Sequence, residues 1–144
     1  MKIATILPYK ENYTVSKAQA AAIWVRDFYK FSKYKNQTYI YGNTKTKDYL
    51  TKNYSNIKIN NLGAKFTSTT KEYCNNFINK TKNKNFDIIE IHNRPEVFNL
   101  LKPNFNSKFI LYFHNDPLSM YGSKSGKERL KLLINLDKIV FISK

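Results

Sequence analysis

Two histidines, three arginines and one cysteine are the scarce reactive side chains of this 144-residue chain. Both histidines directly follow apolar runs. His92 opens His92-Asn93-Arg94-Pro95-Glu96, and His114 opens His114-Asn115-Asp116-Pro117. A histidine so placed is a proton carrier, a donor to a sugar hydroxyl or a metal ligand. Metal is the weakest of the three, because there is no H-x-x-x-H, no cysteine pair and no ligand spacing among the acids. Arg94 offers a planar fork that matches phosphate or carboxylate. The plain alternatives are that Asn93 or Arg94 caps the next helix, and that His114 is a satisfied polar residue at a strand end. A third polar stretch, Pro8 to Ser16, follows the first apolar run and precedes a helix start, where free N–H groups favour anions. Asn12, Tyr13 and Thr14 are its candidate ligand contacts, against an ordinary strand-to-helix loop. The lone Cys74 allows no disulfide within the chain and fits a reducing cytoplasm. It is expected to be a passive thiol on a helix.

Several chemistries lack their motif. There is no G-x-G-x-x-G, no G-x-x-x-x-G-K-[ST] and no G-x-S-x-G. Asp87, Glu90, Glu96 and Asp116 are too scattered for a carboxylate pair to be assigned. No RNP-type aromatic strand or GXXG loop marks an RNA module. The formal net charge is +15 and the pI near 9.8, which raises nucleic acid or an anionic membrane surface as partners. Of the 25 cations, however, 22 are lysine and three arginine, spread along the chain among many asparagines. Bidentate reading of bases or phosphates favours arginine, so a solvated lysine surface is the simpler expectation and no specific nucleic acid is expected.

The elements that must hold these residues alternate. Lys2–Pro8 reads as a strand. Ser16 with Gln19 has the form of a capping box for a well-buried helix to about Lys33, with Ala18, Ala21, Ala22, Val25, Phe28 and Tyr29 in helical spacing. Thr38–Tyr41 is a second strand, followed by a weak helix over 45–53. Asn56–Asn60 alternates as an edge strand. Thr69 and Glu72 form a second capping box. Phe86–Ile91 is a fourth strand, and Pro95 suits the first turn of a helix to about Leu101. Lys108–Phe113 is continuously apolar, as in the middle of a parallel sheet. Ser125 and Glu128 cap a helix whose apolar side is Leu130, Leu133 and Ile134, and Lys138–Ile142 is the sixth strand. Aromatic content of 15% supports a packed core. No apolar run is long enough for a transmembrane helix, and Met1–Tyr9 lacks a leader cleavage site.

This alternation implies an α/β, Rossmann-like three-layer domain, an open parallel sheet of about six strands with helices on both faces. Ligands of such sheets bind outside the carboxyl ends of the strands. That rule selects the loops 9–15, 42–46, 92–96 and 114–125.

Phe86–Pro95, Phe109–Pro117 and Asp137–Ser143 together resemble the N-terminal domain of family 4 glycosyltransferases of the GT-B fold. The likeness is specific over about residues 86 to 143 and generic before that. It implies a retaining, hexosyltransferase-type enzyme that moves a sugar from a nucleotide-sugar donor to a glycan or lipid-linked acceptor in cell-surface polysaccharide or lipopolysaccharide synthesis. No metal and no cofactor are implied; the nucleotide-sugar is a co-substrate. By that similarity His114 is the catalytic strand-end histidine facing the donor sugar. His92, Asn93 and Arg94 match the acceptor-side loop, Asn115 and Asp116 adjoin the cleft, and Lys10–Ser16 matches the loop that usually carries Gly-Gly. The Gly-Gly is missing here, so close backbone approach to a phosphate is not expected at that loop. The family's second domain, with its basic diphosphate-binding residues and E-x7-E motif, is also not within these 144 residues. The chain is therefore expected to be a single acceptor-side domain, 1–144, inactive by itself and completed by a C-terminal domain or a partner chain. Its expected place is the cytoplasm, with peripheral contact to the inner face of an anionic membrane. The alternative is a non-enzymatic glycan- or anion-binding module of the same fold.

Overall fold

A computed structural model describes residues 1–60 and 68–142. Ser143, the last residue of the third family-like stretch, lies outside the described residues. The strands are β1 (Ile3–Ile6), β2 (Thr38–Gly42), β3 (Tyr54–Asn56), β4 (Ile88–His92), β5 (Lys108–Phe113) and β6 (Lys138–Phe141). The helices are α1 (Ala20–Phe31), α2 (Thr69–Thr81), α3 (Pro95–Leu101) and α4 (Gly126–Asn135). Among the described residues all five strand pairings are parallel, in the order β3-β2-β1-β4-β5-β6. The chain order reverses between β1 and β4, the position where open α/β sheets bind ligands.

Side-chain alternation gives the sheet two unlike faces. One face presents Ala4, Ile6, Ile89, Ile91, Phe109 and Leu111, all buried against α2, α3 and α4. Tyr73, Cys74 and Phe77 of α2 and Val97, Phe98 and Leu101 of α3 complete that core. The other face is covered over β2 by α1, through Ala22 and Val25 against Ile40 and Tyr54. Past α1, it carries Thr5, Glu90, His92 and Tyr112.

Several expected boundaries move, each for a local reason. Ser16 caps no helix, because Asp48 takes its N–H at 3.0 Å. Thr14 bridges Tyr49, Val15 donates to the Asp48 carbonyl, and α1 starts only at Ala20. The same pairing replaces the expected helix over 45–53, which is absent. α1 is also less buried than its stripe suggests, since Phe31 is 81% exposed and Ile23 and Phe28 are also exposed. β3 shares only Asn56 with the expected strand over 56–60, and residues 57–60 form no strand; Tyr54, stacked on Tyr13 at 5.0 Å, anchors the observed one. Ser68, not Thr69, caps α2 by accepting from the Lys71 N–H, whereas the Ser125–Glu128 box at α4 is present in both halves. On α4 only Leu132 is buried; Leu130, Leu133 and Ile134 face outward. β6 ends at Phe141, although the Ile142 N–H still reaches the Phe113 carbonyl.

No described helix is long and apolar enough to cross a membrane.

Candidate functional site

β4 runs one residue further than its apolar run suggests, and this decides what its histidine does. As the last residue of the strand, His92 pairs in register with Tyr112 and points to the same face as Glu90. It is 1% exposed, with its ring stacked on Tyr112 at 4.7 Å and 5°. The expectation of a cleft-lining His92 is thereby corrected: its ring lies inside the sheet face, beneath the strand tips. His114, one residue past β5, reaches back to it, with His92 Nδ1 and His114 Nε2 only 2.8 Å apart. The single tryptophan, Trp24 of α1, closes over both rings, at 5.7 Å from His92 and 5.4 Å from His114.

The tautomers follow from the unmatched atom. His92 Nε2 is buried and has no hydrogen-bond partner. A buried N–H without an acceptor is rarer than an under-used lone pair. The His92 proton therefore sits on Nδ1 and is donated to His114 Nε2, which places the His114 proton on Nδ1. Burial pushes both imidazoles below the usual histidine range, and for His92 the neighbouring His114 adds to this. Both rings are neutral at neutral pH.

Asn93 ties the two strand ends together. Its φ of 53° places it in the left-handed region, which asparagine tolerates better than other side-chain-bearing residues. From that turn its Oδ1 accepts the His114 N–H at 2.7 Å and the Asn115 N–H at 3.3 Å. Its own N–H donates to the Tyr112 carbonyl. Asn115 and Asp116 are exposed, and the Asp116 carboxylate caps a short turn through the Leu118 N–H.

Arg94 opens to the opposite side. Its guanidinium lies over the Tyr9 ring at 5.3 Å, a cation–π contact. With Tyr9, Lys10, Asn93, the first turn of α2 and Tyr121 it lines a pocket of about 390 Å³. Arg94 stands at the N-cap position of α3 without capping it, so its side chain remains directed at the pocket. Gly122, at φ +87°, lets the 114–125 loop close against α3: a Cβ there would meet the Glu96 N at 2.9 Å. Nothing in the sequence singled out that glycine, since its role depends on a distant backbone. Glu11, near Arg94, is raised above the usual carboxylate range by burial, an effect that the Ala22 N–H and then Arg94 oppose.

The first loop divides. Lys10 and Tyr9 reach the pocket, and Asn12 is half-buried. Tyr13 and Thr14 do not face the cleft: both are fully buried, Tyr13 in the core under α1 and Thr14 at the Tyr49 bridge. The strand-end set is therefore two groups on the two sides of the sheet crest, His92–His114 and Tyr9–Arg94, with Asn93 between them. Among the described residues no group of three or more His, Cys, Asp or Glu could hold a metal ion. Cys74 is buried and its thiol is pushed up to about 12, chiefly by burial, which makes it unreactive while folded. No protein-family model matches the chain, and no curated protein matches it.

Proposed function

We propose that this domain is the acceptor side of a GT-B, family 4 type glycosyltransferase that moves a hexose with retention from a nucleotide-sugar to a glycan or lipid-linked acceptor. The observation that carries it is the His92–His114 pair, 2.8 Å apart at the carboxyl ends of adjacent strands. A neutral His114 whose Nε2 is engaged by a buried neighbour has a fixed ring, suited to a sugar hydroxyl. In this reading His114 contacts the donor sugar and His92 positions it. Asn93 sets the height of the loop, and Arg94 with Lys10 holds a phosphate or carboxylate of the acceptor. Asn12, Asn115 and Asp116 supply further polar contacts. A second domain or partner chain supplies the donor diphosphate site, so these residues alone do not turn over. Phe28 and Phe31, exposed on α1 beside Lys30 and Lys33, support peripheral contact with an anionic membrane from the cytoplasmic side.

A pocket that already holds Arg94 and Lys10 also favours a second reading, an anion-binding module without chemistry. Titration with glucose 1-phosphate and with inorganic phosphate, followed by amide NMR, separates the two. The transferase reading expects glucose 1-phosphate to move Asn93, Arg94 and His114 and to bind more tightly than phosphate. Arg94→Ala should then weaken it by about 10- to 100-fold, the loss of one charge-assisted hydrogen bond. Equal affinity for both ligands favours the module. An unchanged isotherm in both Arg94→Ala and His114→Ala overturns any function at these loops. Sugar transfer by the isolated chain would refute the need for a second half.

A further inference from the structure

Beneath α1, on the side of the sheet away from Arg94, lies a cavity of about 280 Å³. It extends from His92 and Trp24 toward Ile3, Thr38 and Ile88, the first residues of β1, β2 and β4. It therefore leads away from the strand-tip cleft. Its walls are apolar and aromatic, with Trp24, Val25, Phe28 and Tyr29 from α1. Thr5, Glu90 and His92 form its polar floor on the sheet, and Met1, Ser32, Tyr34 and Thr38 also line it.

The polar groups on that floor offer acceptors to a ligand. The Thr5 hydroxyl donates to Glu90 Oε2 at 2.7 Å and the Tyr112 hydroxyl to Oε1 at 3.3 Å. Both hydroxyl protons are thus spent on the carboxyl. His92 Nε2 is buried and unpartnered, and in the tautomer derived above it carries a lone pair. Glu90 itself is only 9% exposed. Among the described residues the ion pairs are Met1–Asp87 and Arg26–Asp27, so Glu90 has no cationic partner, in a chain with 25 basic residues and 10 acidic ones. A buried acid without a counter-ion is held toward its neutral form, and burial does raise Glu90 above the usual range. A compact cation would satisfy the carboxylate and the imidazole lone pair at once. Aromatic walls add favourable contact for such a cation and for an apolar body behind it.

We propose that this cavity is a binding site for a small organic ammonium ion with an apolar body, of the arylalkylamine kind. The ammonium group sits between Glu90 and His92 Nε2, and the body lies against Trp24 and Phe28. The site lies outside the strand-tip cleft and does not require the transferase reading, although His92 and Phe28 have a part in both. The overall charge of +15 repels cations, so non-specific electrostatics would not produce such binding.

Trp24 is the only tryptophan, so its fluorescence and its indole N–H resonance report the site directly. The test titrates the whole chain with 2-phenylethylammonium and with the neutral isostere 2-phenylethanol. The amine should bind about tenfold or more tightly than the alcohol, equivalent to about 1.4 kcal/mol, and should shift the Trp24 indole. Glu90→Gln should erase that preference while keeping the shape of the floor. If that variant does not fold, the comparison of the two ligands on the unaltered chain still decides. No Trp24 response to the amine, equal binding of amine and alcohol, or an intact preference in a folded Glu90→Gln would each overturn the proposal.

Discussion

The two faces of this sheet are built from the same strands and differ in what they ask of their side chains. The face under α2, α3 and α4 is filled with Ile, Leu, Phe and Tyr and carries stability. The face beyond α1 holds Thr5, Glu90, His92 and Tyr112 in hydrogen bonds and ring stacks, and opens into a cavity. Alternate residues of β4 belong to each: Ile89 and Ile91 to the first, Glu90 and His92 to the second. One strand thus carries a core and a site, divided by nothing more than side-chain parity.

The comparison breaks most visibly at Phe109. Its ring is fully buried and meets Phe98 edge-on at 5.4 Å. Phe109→Ala should destabilise the fold by about 3–5 kcal/mol, as lost burial plus a cavity. Its strand neighbour Tyr112 faces the other way, and Tyr112→Phe removes only a 3.3 Å hydrogen bond to Glu90, worth about 1 kcal/mol. Urea unfolding of the two variants measures the contrast. Equal losses would mean that the faces are energetically alike.

Asn93 sits where the faces meet, and two substitutions separate its roles. Asn93→Gly keeps the left-handed turn and loses the acceptor for the His114 and Asn115 N–H groups. That loss should cost about 1–3 kcal/mol. Asn93→Ala loses the acceptor and also strains the turn, adding about 1–2 kcal/mol. Alanine that proved no worse than glycine would show that the turn relaxes freely.

Two kinds of titrating group on the polar face give opposite dependences on pH. Glu90 is raised above its ordinary 4.5 by burial, with Thr5 and Tyr112 opposing. Its stabilising contribution is full below 4.5 and is lost as pH rises through the folded value. His92 and His114 are lowered from 6.5. Their contribution is full above 6.5 and is lost as pH falls toward their folded values. Each slope is at most about 1.4 kcal/mol per pH unit. Stability of Glu90→Gln relative to the unaltered chain should therefore improve as pH rises from 4.5. A difference that does not vary with pH would mean that Glu90 is solvated. Below the alkaline range in which Cys74 and Tyr73 titrate, the apolar face contributes no such slope, which sharpens the contrast.

How much of this was legible depended on which interactions were local. The β5 run, the Pro95 helix start and the Ser125–Glu128 box are set by adjacent residues, and all three stand where their patterns put them. The parallel sheet and the strand-end positions of Arg94 and His114 followed from alternation of elements. The His92–His114 contact did not, because one extra strand residue turned His92 inward. Tyr13 and Thr14 were misplaced for a similar reason: their partners, Tyr54 for Tyr13 and Tyr49 for Thr14, are 35 or more residues away in the chain. Glu90 was only one acid among several in sequence. It became distinctive when Thr5 and Tyr112 arrived from the two flanking strands.

α4 gives the smallest expected effect and tests whether helical spacing alone implies burial. Leu130, Leu133 and Ile134 repeat with the period of an amphipathic stripe, but the sheet receives only Leu132. Leu133 is 67% exposed. Leu133→Lys should then change stability by less than about 0.5 kcal/mol, whereas Leu132→Ala should cost about 2–5 kcal/mol. Neighbouring residues on one helix would thus differ several-fold, by rotation about the helix axis and not by hydrophobicity. A large loss at Leu133 in urea unfolding would mean that this outward stripe is covered in solution.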